Sequence, residues 1–437
     1  MWKLSLPAII AMVLYGLNSM FDAIFVGRFV GETALAGVSV AYPLSQLALG
    51  IGSLIGVGAG SALSIAIGAN DKTTQKKLLG NVNYLSIMFT VFYMIIAWFF
   101  AEDIIRMMGG KGEALKLGTE YFRITVIGTI FWIHGLALNM IVRSEGKMKS
   151  AAIMMGIGLI VNIIANYLFI VVFGFGVQGA AWGTNIGMLV YSILGMIYFS
   201  RDKVTFDAHP FVISRDKAIV KSIFSMGTPS LIMSVMSVIQ GIIVFNALSA
   251  IGTTYDMAFY GATFRIFTFL LTPIFGLMRA LQPVVGINFG AGKNLRVIKS
   301  FKLFTVAGII IMSPFWLVIM IAPQLVLNLM MPGQVFSPEN LMNFRVLLSL
   351  TPILPVLFIA MTFFPSINKG KPVAIIGLAR QLVFYVPVMY FLPKLMGIGG
   401  VYFGSFAIDL IILIWIVIIS LAEFKRLRAS NKLEPAV

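Results

Sequence analysis

Twelve stretches of this chain are apolar over twenty residues or more, and that one feature leaves few folds open. About 20 apolar residues in a helix cross the roughly 30 Å hydrocarbon layer of a bilayer. In lipid the backbone must satisfy its own hydrogen bonds, which a helix does within one segment. The stretches fall near residues 5–26, 34–67, 79–101, 117–142, 151–173, 178–199, 223–251, 257–288, 301–326, 343–367, 373–392 and 399–421. Only 11% of the 437 residues are charged, against about 25% in soluble domains. The expectation is an all-α, polytopic membrane protein.

The net charge of +16 reads as a topology signal rather than a nucleic-acid face, because the basic residues sit in short loops. Twenty-two Lys and Arg lie on one side of the expected membrane and seven on the other, with Arg265, Arg279 and Arg380 inside or near spans. The basic side is expected to be cytoplasmic, with both termini there. There is no cysteine and there are only two histidines, so disulfides and thiolate or histidine-rich metal sites are not expected. No cleavable signal peptide is legible, since the first span begins almost at once and lacks a small-residue cleavage pattern.

The chain repeats itself. Leu6-Pro7 and Thr228-Pro229 stand 222 residues apart, and so do Ile65–Ala69 and Ile287–Ala291. Gly146-Lys147 meets Gly370-Lys371 at 224, and Gly179 and Gly183 meet Gly400 and Gly404 at 221. A near-constant offset across six spans indicates duplication. Six is even, so the copies run the same way, as parallel repeats about an axis along the membrane normal. The expected organisation is a six-helix lobe over 1–200, a polar linker over 201–222, a second six-helix lobe over 223–421 and a tail over 422–437. The second span, with Gly50, Gly52, Gly56, Gly58 and Gly60, permits bending and close packing.

The copies differ in their acids. Asp22 lies inside the first span, where its counterpart is Val244. Tyr15 and Asn18 share its helix face, and no opposite charge lies within a turn, since Arg28 is six residues on. A carboxylate in such a segment is a functional-site hypothesis by default. Asn162 and Asn166, one turn apart in the fifth span, with Thr184 and Asn185 in the sixth, can line a polar cavity beside it. Tyr42 and Gln46 share a face of the second span. Burial penalises the charged form of a carboxylate. Asp22 can therefore take up and release a proton as its cavity opens to one side or the other, and an organic cation can compete for the same field. Asp409 is the second acid inside a span, able to attract a cation or to pair with Arg265 or Arg380. Glu145, at a span end between Arg143 and Lys147, suits a gate or loop ion pair, and His134 a packing hydrogen bond. Methionine and phenylalanine, 26 and 36 in number, supply lipid-facing and packing surface. A minority could form the adaptable wall that promiscuous apolar binding needs. No phosphate loop or catalytic set is legible, so an enzyme is not expected.

Six segments carry a family resemblance: NSMFDAIFVGR at 18–28, GVGAGSALSIAIGANDK at 56–72, VRSEGKMK at 142–149, NIIANYLFIVVFGFGVQGAAWGT at 162–184, ALQPVVGINFGAGKNLRVIK at 280–299 and ARQLVFYVPVMYFLP at 379–393. Through them the chain resembles the multidrug and toxic compound extrusion (MATE) family, over essentially its full length, and within it the MepA-like bacterial branch. The resemblance implies two pseudo-symmetric six-helix lobes around a central cavity, in a bacterial inner membrane. It implies export of small cationic or amphipathic compounds against protons or sodium, by a monomer needing no cofactor. The family's first-span carboxylate falls on Asp22, and its fifth-span Asn on Asn162. Its sixth-span Thr falls on Thr184 and its loop Glu on Glu145. Where some relatives have a second carboxylate, this chain has Asn166. The seventh span offers Gln240 and Asn246 in place of acids, and Gln240 joins the candidate cavity residues. A flippase of lipid-linked or polysaccharide precursors, from the same superfamily, is the second reading. It calls for a strongly basic cavity, for which only Arg265, Arg279 and Arg380 are candidates. A channel or membrane scaffold is a third, which duplication with one-sided loss of an acid fits poorly.

Overall fold

The computed structural model describes residues 2–107, 111–200, 204, 206, 209–331 and 333–432. Every regular element among them is helical. In chain order they are α1 (Trp2–Phe29), α2 (Glu32–Gly68), α3 (Lys72–Phe99), α4 (Ala101–Met107), α5 (Gly112–Ser144), α6 (Met148–Asn166) and α7 (Gly176–Phe199). The second repeat holds α8 (Lys217–Ile251), α9 (Thr254–Gly290), α10 (Asn294–Ile321), α11 (Pro323–Met330), α12 (Pro338–Leu348), α13 (Leu354–Ser366), α14 (Gly370–Ala379), α15 (Val386–Met396) and α16 (Gly399–Lys432). Ten spans among the described residues are long and apolar enough to cross a membrane. The first helix and the α12–α13 pair complete the dozen. The result is twelve spans in two six-helix lobes.

Three spans depart from plain helices. The tenth is broken: a turn over 349–353 separates α12 from α13. Pro352 and Pro355 lack the N–H that a continuous helix needs. The fifth and eleventh spans each contain a π-helical turn, Tyr167–Val172 after α6 and Arg380–Tyr385 between α14 and α15. Such turns recur at functional sites because they offset the hydrogen-bond register by one residue. The last helix continues past residue 421 to Lys432.

The lobes meet along α1, α2, α8 and α9. At the end bearing the basic turns, close backbone approach joins them symmetrically. A Cβ on Gly68 would lie 2.0 Å from the Ile287 carbonyl, and one on Gly290 would lie 2.0 Å from the Ile65 carbonyl. These two pairs are each other's images in the repeat. Gln282 of α9 donates to the Val57 carbonyl at 3.0 Å and to Ser61 Oγ at 3.1 Å on α2. Toward the opposite end Gly16, Gly241 and Gly261 have nothing within 4 Å of their missing side chains. The seam is therefore tight at the basic end and open at the other. The chain between the lobes is stitched to α3: Asn83 donates to the carbonyls of Pro210 and Val212, and Asn81 accepts from the Asp216 N–H.

Candidate functional site

The first-lobe site begins with helix spacing. Gly183 and Gly187, one turn apart on α7, face Asn166 and Asn162, one turn apart on α6. A Cβ on Gly183 would lie 2.1 Å from Asn166 Oδ1, and one on Gly187 would lie 2.7 Å from Asn162 Cβ. Small residues at four-residue spacing let helices approach closely. Here they also press both amides toward α1.

Asn166 donates from Nδ2 to Asp22 Oδ1 at 2.6 Å. Asn162 is a second hydrogen-bond partner of the same carboxylate, and its Oδ1 lies 3.5 Å from Asn166 Nδ2. Thr184 donates to the Ala180 carbonyl at 3.1 Å and also bonds the hydroxyl of Tyr121, which lies within electrostatic reach of Asp22. The short Asn166 contact is charge-assisted, of the kind that roughly doubles a neutral bond. Tyr121, which the sequence did not single out, is 9% exposed. Nothing in its local sequence distinguishes it from a packing aromatic. A cavity of about 40 Å³ lies among α1, α5, α6 and α7 and is lined by Tyr15, Trp132, Asn162 and Tyr191. A polar cavity of this size can hold a water.

The remaining residues singled out from the sequence lie elsewhere. The side chains of Asn18 and Tyr42 fall outside the described residues, and Gln46 is half-buried on α2. His134 bridges two elements, with Ser192 Oγ 3.0 Å from Nδ1 and Asn83 Oδ1 3.0 Å from Nε2, which is a packing arrangement. Glu145 engages Tyr198. Its expected pairing with Arg143 does not form: Arg143 turns its Nε to Asn139 Oδ1 at 2.6 Å, and both its Nη atoms are buried without a hydrogen-bond partner among the described residues. Neighbours in sequence at a helix end point in different directions, and Glu145 has already left the helix as its C-cap.

The second lobe holds its acid differently. Asp409 Oδ1 accepts from Arg380 Nη2 at 2.7 Å and from Nε at 3.1 Å. Arg380 Nη1 donates to Gln240 Oε1 at 3.0 Å, and Gln240 Nε2 bonds the Tyr385 hydroxyl at 2.9 Å. The guanidinium also lies 5.0 Å from the Tyr385 ring centroid. Gln381, from the same π-helical turn, adds a contact to Gln240 at 3.3 Å. The network pairs one acid with one arginine and ties both to Gln240 and Tyr385. Among the described residues no group of three or more His, Cys, Asp or Glu could hold a metal ion.

The profile of the MatE family matches the chain twice, at residues 7–168 and 229–391. Over 407 residues the chain is 26% identical to the multidrug export protein MepA of Staphylococcus haemolyticus, covering 92% of this chain and 88% of that protein. A crystal structure of MATE in the bent conformation superposes with a TM-score of 0.90 at 25% identity, covering 98% of this chain and 95% of the other. An outward-facing multidrug resistance MATE family transporter of the MOP superfamily gives 0.89 at 26% identity, covering 97% and 95%.

Proposed function

The chain belongs to the MatE family, and from that premise we propose that it is a multidrug efflux antiporter, exporting small cationic or amphipathic compounds in exchange for protons. The family is one of multi-pass membrane transporters, so the chain is a transporter and not an enzyme. The observation that carries the proton reading is the Asp22 site, an acid in the lobe interior held by the amides of Asn166 and Asn162. Such a group can be occupied by a proton or a cation in turn. A structural acid such as Asp409, fixed by an arginine, is not able to do so.

Coupling follows from the same contacts. Ionised Asp22 accepts a charge-assisted bond from Asn166. Protonation weakens that bond and releases Asn166, which directly precedes the π-helical turn Tyr167–Val172. A π turn is a ready place for a one-residue register change. The fifth span can then repack against the first, changing the cavity that holds cargo. Two lobes, 1–200 and 223–421, rock about the seam, with 201–222 as linker and 422–437 as tail. The protein acts as a monomer in a bacterial inner membrane. Placing the basic turns in the cytoplasm puts the tight end of the seam inside, so the conformation described is outward-facing.

Purified protein in liposomes, given a proton gradient and then a sodium gradient, should move a fluorescent organic cation under the proton gradient. Transport under the sodium gradient alone would overturn proton coupling. Absence of transport under both would overturn the efflux reading.

A further inference from the structure

A second cluster of donors lies beyond the Asp22 site toward the tight end of the seam, sharing with it Tyr191, which lines the Asn162 cavity. Arg143 is 2% exposed, and with its Nε on Asn139, its Nη1 and Nη2 have no hydrogen-bond partner among the described residues. Tyr191 of α7 is 6% exposed, and its hydroxyl is likewise buried without one. Arg279 arrives from the other repeat on α9, with its Nε 3.0 Å from the thioether sulfur of Met12. Arg143 feels the charge of Arg279, and Tyr191 lies within electrostatic reach of both guanidinium groups. Gly60 of α2 fits between Gln282 and Met140, one turn along from each arginine, which holds α9 and α5 at the same level. The nearest acid in sequence to Arg143, Glu145 just past the end of α5, engages Tyr198 instead.

Two like charges and a hydroxyl thus converge where dielectric screening is weak. A buried guanidinium without a counter-charge is strongly unfavourable. Buried polar groups that lack protein partners ordinarily meet a ligand, an ion or water. We propose that Arg143, Arg279 and Tyr191 form a seat for a small monovalent inorganic anion, such as chloride, held between the two repeats. Arg143 and Tyr191 are almost fully buried, at 2% and 6% exposed, which favours a halide over a bulky phosphate ester. The arginines come from different lobes, so the seat is complete only when this end of the seam is closed. A bound anion therefore favours the closed arrangement by mass action. None of this depends on the transport reading, because it concerns binding to the resting protein.

The test uses the full chain purified in detergent, with sodium chloride replaced by sodium gluconate at constant ionic strength. Thermal unfolding followed by intrinsic fluorescence should give a Tm that rises by several degrees with chloride and saturates. Arg143→Gln and Arg279→Gln should each lose the chloride-dependent part, and Tyr191→Phe should raise the half-saturating chloride concentration several-fold. In gluconate Arg143→Gln should be at least as stable as the parent, because an uncompensated charge is gone. Should Arg143→Gln not fold, Arg143→Lys serves: it keeps the charge but loses the forked donor pair, and should weaken the chloride response several-fold. An equal Tm in chloride and gluconate for the parent would overturn the proposal. So would a chloride response kept in full by both arginine variants, or stabilisation by phosphatidylglycerol micelles with none by chloride.

Discussion

The two lobes share one plan and treat their interior acid in opposite ways. In the first, Asp22 on span one is met by amides from span five, and glycines of span six make the room. In the second, the acid has moved to span twelve, and Asp409 is clasped by Arg380 of span eleven. Val244, at the position of Asp22, is fully buried. Gly183 faces Asn166, whereas its counterpart Gly404 faces the aliphatic ends of Val388, Met389 and Leu392. A neutral amide shell leaves a carboxylate able to change its charge, and an arginine fixes that charge while fastening two helices. Duplication thus supplied two like bundles, and side-chain partnering set their interior acids apart, one among amides and one against an arginine.

That division can be broken most directly at Asp22. Asp22→Asn should reduce gradient-driven dye efflux to the level of empty cells with the protein still in the membrane. Efflux at the parental rate would end the asymmetry. Asp409→Asn should act on stability instead. It leaves Arg380 without its counter-charge, for a loss of about 3 kcal/mol in thermal unfolding, at the low end for buried pairs because Arg380 is 25% exposed. The double change Asp409→Asn with Arg380→Gln should recover much of that loss and keep measurable efflux.

The glycine pair sharpens the contrast. Gly183→Ala places a methyl 2.1 Å from Asn166 Oδ1 and must move that amide off Asp22. Losing a hydrogen bond to a charged group is worth about 2 kcal/mol, so efflux should fall by a factor of about 30. Gly404→Ala meets a Val388 methyl at 2.8 Å and the ends of Met389 and Leu392, but no group that holds Asp22, and should change efflux less than about threefold, a cost below about 1 kcal/mol.

The smallest effect lies in the paired turns at the basic end. Asp71 caps α3, accepting from Thr74 N–H at 3.0 Å and Thr74 Oγ1 at 2.5 Å, whereas Lys293, 222 residues on, gives α10 no side-chain cap. Asp71→Ala should cost about 1 kcal/mol, and Lys293→Ala close to nothing. The Thr74 hydroxyl and N–H hold the Asp71 carboxyl below the usual carboxylate range. Its stabilisation is therefore fully present above the ordinary aspartate value near about 4 and fades as pH falls through the lower folded value. Unfolding measured between about pH 3 and 6 should converge for parent and Asp71→Ala at the acid end.

Much of this was legible in the residues. Hydropathy over twenty-residue windows is a local property, so the spans could be placed before any contact was known. The 222-residue offset likewise needed no coordinates to suggest two like bundles. The lone acid in span one marked Asp22, and spacing alone put Asn162 and Asn166 on one face. The break in span ten was written in Pro352 and Pro355 but hidden by continuous hydropathy. Partnering was not legible. Asp22 and Asn166 are 144 residues apart, Arg380 and Gln240 are 140 apart, and Arg143 ignores the Glu145 two residues away. Sequence alone determined how many spans there are and that they come in two copies, because burial in lipid is decided segment by segment. Which acid can change its charge, which is locked by an arginine and where the seam closes were decided only in three dimensions, because charge is settled by whatever stands across the gap between helices.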